Sequence, residues 1–178
     1  LTVTAHLDTA RMPLQVDIGY GDTPVPQPIL CEYPAILRQF KPHLRVYARE
    51  TVIAEKLHAM VERGQANSRA KDFFDLNFLS QNFLFQGESL TAAIRSTFLR
   101  RGRALPTMPI VAWTPAYFEE PTKLIQWAAF LRKTKLPEQT LPEVVAGIER
   151  FLSLPLTKCI TGCLWSAQWQ PGGPWSHE

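Results

Sequence analysis

Two stretches of this chain space their apolar residues with the period of an α-helix, and each carries a charge where that period asks for an apolar side chain. They are Thr51 to Gly64 (TVIAEKLHAMVERG) and Ser68 to Gln81 (SRAKDFFDLNFLSQ). At roughly 100° per residue, Val52, Ile53, Leu57, Met60 and Val61 cover about half of the first helix, and Lys56 falls inside that arc. In the second, Phe73, Leu76 and Leu79 make the stripe; Asp72 projects between Leu76 and Leu79, with Asp75 at the edge. An ionised group left alone in a core is strongly destabilising, so these charges must meet each other or open onto a polar cleft. That requirement restricts how the two helices can pack.

The chain around them divides by its prolines. LTVTAHL (Leu1 to Leu7) and PLQVDIGYG (Pro13 to Gly21) alternate apolar and polar residues, with Leu14, Val16, Ile18 and Tyr20 on one face, and predict a hairpin joined through DTARMP. Prolines at 24, 26, 28 and 34 make Asp22 to Pro34 an extended connection. LRVYA (Leu44 to Ala48) predicts a further short strand running into the first helix. Three more helices are expected at Ser89 to Gly102, with Ser89 as N-cap, at Pro121 to Lys133 and at Pro142 to Leu154. The tail from Pro155 carries Trp165, Trp169 and Trp175 and the run PGGPW, and is expected to pack by aromatic anchors without regular structure. Strands first and helices afterwards make an α+β fold. The expected division is 1–48 for the sheet, 49–155 for about five helices and 156–178 for the tail.

With 46% hydrophobic and 20% charged residues in 178, the chain is that of a folded globular protein. A net charge of +3 permits contact with nucleic acid or nucleotide phosphates without demanding it. Cys31, Cys159 and Cys163 are too few and too scattered for a disulfide framework, which makes the cytoplasm the expected compartment. No apolar run approaches the roughly 20 residues that span a bilayer, so no membrane association is expected.

Several groups carry two readings. Asp17, between Val16 and Ile18, belongs either to a solvated sheet face or to a metal site of magnesium type, which takes rigidly held carboxylates. Lys56 is either a structural ion pair or a functional cation. Arg69, Lys71, Asp72 and Asp75 cluster where the helix dipole favours an aspartate, but the dipole does not explain one on the apolar stripe. Arg95, Arg100, Arg101 and Arg103 suit the C-terminal end of a helix, or else a phosphate-contacting patch. Cys159 and Cys163 lack zinc spacing, His6, His43, His58 and His177 form no metal motif, and GYGD is neither a dinucleotide fingerprint nor a P-loop.

The succession VDIGYGD (Val16 to Asp22), YPAIL (Tyr33 to Leu37), LRVYARETVIAEKLHAMVERGQANSRAKDFFDL (Leu44 to Leu76), AIRSTFLRRG (Ala93 to Gly102) and PGGPW resembles the AbiEii/AbiGii toxin family. That family comprises nucleotidyltransferase-like proteins of toxin–antitoxin and abortive-infection systems. The resemblance implies a polymerase-β-like nucleotidyltransferase core, a small mixed sheet bearing metal-binding carboxylates, followed by helices that close over the nucleotide. It implies Asp17 as a Mg2+ ligand, and Lys56, Asp72 and Asp75 as catalytic residues. Lys56, Arg69 and Lys71 are then expected to bind the NTP, with Asp72 orienting Lys56 or acting on the attacking hydroxyl.

The expected reaction transfers a nucleotide from an NTP to an RNA, tRNA foremost, or to a protein, with a cognate antitoxin as partner. The family's Gly-Ser turn and Asp-x-Asp pair do not occur between Leu1 and Asp17, where Asp8 stands alone. The chain is therefore expected to be the C-terminal part of such an enzyme and inactive by itself. The competing expectation is a non-catalytic module that contacts an antitoxin or nucleic acid through the third helix or the tryptophan tail.

Overall fold

The computed structural model describes residues 1–18, 21, 24–35, 41–163 and 165–176. Gly19, Tyr20 and Asp22 of VDIGYGD, Ile36 and Leu37 of YPAIL, and His177 lie outside the described residues.

The strands-then-helices order holds. Strands β1 (Thr2–Leu7) and β2 (Ala10–Gln15) form an antiparallel ribbon in which Leu7 faces Ala10 and Thr2 faces Gln15. The turn is thus the two residues Asp8 and Thr9, shorter than the expected DTARMP connection, and Asp8 takes the left-handed φ of 52° that tight hairpins need. Asp17 consequently lies beyond the end of β2 instead of within a strand. Strands β3 (Ile29–Glu32) and β4 (His43–Val46) form a second antiparallel ribbon, so the described strands make separate ribbons where the resemblance implies one mixed sheet.

Helices α1 (Arg49–Arg63), α2 (Ala70–Asn82), α3 (Gly87–Arg100), α4 (Pro115–Phe118), α5 (Pro121–Thr134) and α6 (Leu141–Thr161) build the body. Ile53, Leu57, Phe73, Leu76, Leu90, Ile94, Phe98, Ile148 and Phe151 are among its fully buried side chains. Helix α3 begins before Ser89, at Gly87, because Gly87 lies against the Trp165 indole: a Cβ there would stand 2.6 Å from the ring. Helix α6 opens with a capping box, Thr140 and Glu143 bonding each other's backbone N–H, and Pro142 sits in its first turn.

Helix α6 runs past Leu154 and through Pro155. A proline there cannot donate to the carbonyl of Phe151 one turn back. The indole of Trp175 donates to that carbonyl instead, at 2.8 Å. Trp169 does the same for Ser80 at the end of α2, at 2.7 Å, joined by the Gly172 N–H at 3.0 Å. The tail packs by its tryptophans as expected but carries regular structure where none was expected: β6 (Gln168–Trp169) pairs with both β5 (Phe85–Gln86) and β7 (Trp175–Ser176) in a small antiparallel sheet. Gly173, at φ 78°, lets the chain turn against the Trp169 ring, which a Cβ would meet at 2.4 Å.

Candidate functional site

Helices α1 and α2 pack so that the inward-facing charges meet. The Lys56 ammonium lies 2.7 Å from Asp72 Oδ1 and 2.7 Å from Asp75 Oδ2. Spacings of three and four along α2 add Arg69, 3.7 Å from Asp72 Oδ2, and Lys71, 2.6 Å from Asp75 Oδ2. Three cations against two carboxylates leave the cluster one positive charge in excess. Burial by itself would lower the Lys56 pKa, but hydrogen bonds and charge from Asp72 and Asp75 outweigh it and carry the pKa above its ordinary value. Lys56 is therefore cationic throughout the physiological range.

Lys56 and Asp72 line a cleft of about 460 Å³ together with Tyr47, Val52, His58, Glu62, Arg63, Arg69 and Arg101. Glu55, also on its wall, draws Arg100 and Arg101 from the end of α3 onto α1, with Arg101 at 2.9 Å. His58 is buried beside the Phe98 ring, its centroid 5.1 Å away, with no hydrogen-bond partner for Nε2 among the described residues. Desolvation pushes its pKa below the ordinary histidine value. A second cleft, of about 700 Å³, lies on the other side of the first turn of α2 between Arg69, Lys71, Phe130 and Lys133, and shares Arg69 and Asp72 with the first.

Of the residues expected to act together, Lys56, Arg69, Lys71, Asp72 and Asp75 are joined in one network. Asp17 is not joined to them. It is exposed, accepts a hydrogen bond from Gln15 Nε2 at 3.0 Å, and lines neither cleft. Among the described residues no group of three His, Cys, Asp or Glu side chains converges, and Asp72 and Asp75 face an ammonium.

Several of the residues expected to contact a partner also have partners within the chain, Arg101 staying about half exposed. Arg95 donates to the carbonyls of Lys158 and Cys159 at the end of α6, Arg100 and Arg101 hold Glu55, and Trp165 donates to Thr91 Oγ1 at 2.9 Å. The sequence reading missed His58, Glu55 and a buried polar node formed by Asn67, Tyr117 and Lys123. For Lys123 the signal was available, since it shares a helical stripe with Trp127 and Leu131.

Among the described residues no helix is long and apolar enough to cross a membrane. No characterised protein and no solved structure matches the chain. Residues 1–152 match the family described as nucleotidyl transferase AbiEii toxin of type IV toxin–antitoxin systems, and the chain belongs to that family.

Proposed function

We propose that the cleft beside Lys56 binds the triphosphate of an NTP, and that the protein takes part in transferring its nucleotide to an RNA acceptor, tRNA foremost. The observation that carries this reading is the Lys56 ammonium, held at 2.7 Å by each of two carboxylates on the wall of a cleft. An ammonium has three donors. Asp72 and Asp75 engage two and direct the third, which suits a phosphate oxygen and places a fixed positive charge where negative charge accumulates on the leaving pyrophosphate.

Both oxygens of Asp72 are engaged, one by Lys56 and one by Arg69, which favours an orienting role for it over that of a base on the acceptor. The one excess positive charge of the cluster favours a polyanion over a neutral ligand. Magnesium, expected for this chemistry, requires carboxylates other than Asp72 and Asp75, and no step is assigned to it. The setting is cytoplasmic, where the three free thiols remain reduced, and a cognate antitoxin restrains the activity.

The test is nucleotide binding by calorimetry with each common nucleoside triphosphate, alongside transfer of labelled nucleotide to total RNA. Lys56→Ala is expected to weaken binding roughly tenfold or more, equivalent to about 1.4 kcal/mol for a lost charge-assisted contact. Equal binding by wild type and variant, or binding by neither, sinks the reading. Label appearing in protein and not in RNA moves the acceptor to the protein class.

A further inference from the structure

Lys123 is a second lysine on an apolar helix stripe. Only 8% of it is exposed, and it stands at the third position of α5, where the helix dipole opposes a positive charge. Among the described residues its ammonium has a carbonyl and a ring for partners and no carboxylate: it donates to the Asn67 carbonyl at 2.9 Å and lies 5.1 Å from the centre of the Tyr117 ring. The Tyr117 hydroxyl donates to the same carbonyl at 2.8 Å, and burial, helped by Glu120, pushes that phenol up to about 12. A methionine would fill the same space without desolvating a charge, so packing does not account for this lysine.

What the ammonium and the phenol jointly hold is Asn67, in the connection three residues before α2 begins. The Asn67 side-chain oxygen accepts the Arg69 N–H at 3.0 Å, and the Asn67 backbone N–H donates to the Gly64 carbonyl at 3.1 Å. Gln65, two residues earlier, is tied to the Ala116 carbonyl and the Glu120 carboxylate. The segment from Ala116 to Lys123 thus fastens the α1–α2 connection, and the stretch that follows carries Arg69, Lys71 and Asp72 and, one turn further on, Asp75.

We infer that Lys123 is a positioning residue which, through the carbonyl of Asn67, fixes the first turn of α2 and so the reach at which Asp72 and Asp75 hold Lys56 over the cleft. Its purpose rests on the nucleotide reading above; the mechanical link does not.

The experiment compares the whole chain with Lys123→Met and Tyr117→Phe by thermal melting, amide hydrogen exchange and NMR of the lysine ammonium groups. Lys123→Met is expected to melt no lower than wild type, while amides 68–72 exchange about tenfold faster or more and the protected Lys56 ammonium signal is lost. Tyr117→Phe is expected to move the same two readouts in the same direction by less. Unchanged exchange at 68–72 with an intact Lys56 signal in Lys123→Met overturns the inference. A fall in melting temperature with protection lost throughout the molecule overturns it too, and makes Lys123 a structural residue. If nucleotide binding fails in wild type while the NMR and exchange changes occur, the nucleotide reading falls and the positioning role stands.

Discussion

At the scale of single residues, His58 gives the pH dependence of this protein a definite sign. Burial lowers its folded pKa; Glu62 and Glu55 oppose that, and Arg101 and Arg103 add to it. The unfolded chain, with an ordinary histidine pKa of 6.5, then binds the proton more readily than the native state. Stability from this group is complete above 6.5 and drains away as pH falls through the lower folded value. Denaturant unfolding at stepped pH should show the free energy declining as pH falls below the ordinary histidine value of 6.5, and His58→Phe should flatten that decline. The carboxyl of Glu143, also held low, by its hydrogen bonds to Thr140, acts in a separate window below 4.5. A slope unchanged in His58→Phe would show that the imidazole is solvated in the native state. Lys56 contributes nothing to this range, because its pKa is raised and its pairing is lost only as pH climbs above the ordinary lysine value of 10.5.

Among elements, α6 and the tail meet at Phe151, whose ring packs on Trp169 and Trp175 and whose carbonyl takes the Trp175 indole N–H. Pro155 removes the donor that Phe151 needs, and the Trp175 indole supplies another. Trp175→Phe should therefore cost about 1 to 3 kcal/mol, much of it from an orphaned buried carbonyl. In a Pro155→Ala background the restored backbone N–H satisfies Phe151, and the same substitution should cost at least about 1 kcal/mol less. Denaturant titration of the four proteins of this cycle measures the difference; equal costs in both backgrounds would mean the indole acts by packing alone.

This coupling also explains what the sequence could and could not disclose. The helical period gave α1, α2, α3 and α5, and the inward charges of the first two gave Lys56 with Asp72 and Asp75, because both are local patterns on one face. The continuation of α6 through Pro155, the β5–β6 pairing and the Asn67–Tyr117–Lys123 node are made by partners 24 to 89 residues apart, which no local window contains. Asp17 was placed one step too far inside a strand because the hairpin turn is shorter than its polar sequence suggested.

For the molecule as a whole, the distribution of buried surface divides it near residue 48. Among the described residues every buried apolar side chain except Pro24 lies at Ala48 or beyond, whereas β1 and β2 are exposed along their length apart from the half-buried Ala5, with Val3, Leu7, Met12 and Leu14 open to solvent. A lone two-stranded ribbon gains too little burial to be stable by itself, so the two N-terminal ribbons should open at far lower free energy than the helices. Thr51, whose hydroxyl donates to the Val25 carbonyl at 3.0 Å, ties the connecting segment to α1. Trypsin under native conditions should therefore cut at Arg11 or Arg45 before any site from Arg49 onward. The helical product should keep the cooperative melt of the parent, since its core loses no member. Early cleavage within α1 to α6, or loss of the melt once the ribbons are removed, would show that the ribbons stabilise the helical body and that the boundary at 48 divides nothing. If the body survives, Lys56 and its carboxylates can be titrated with nucleotide in that product alone, which separates what the helices bind from what the strands contribute.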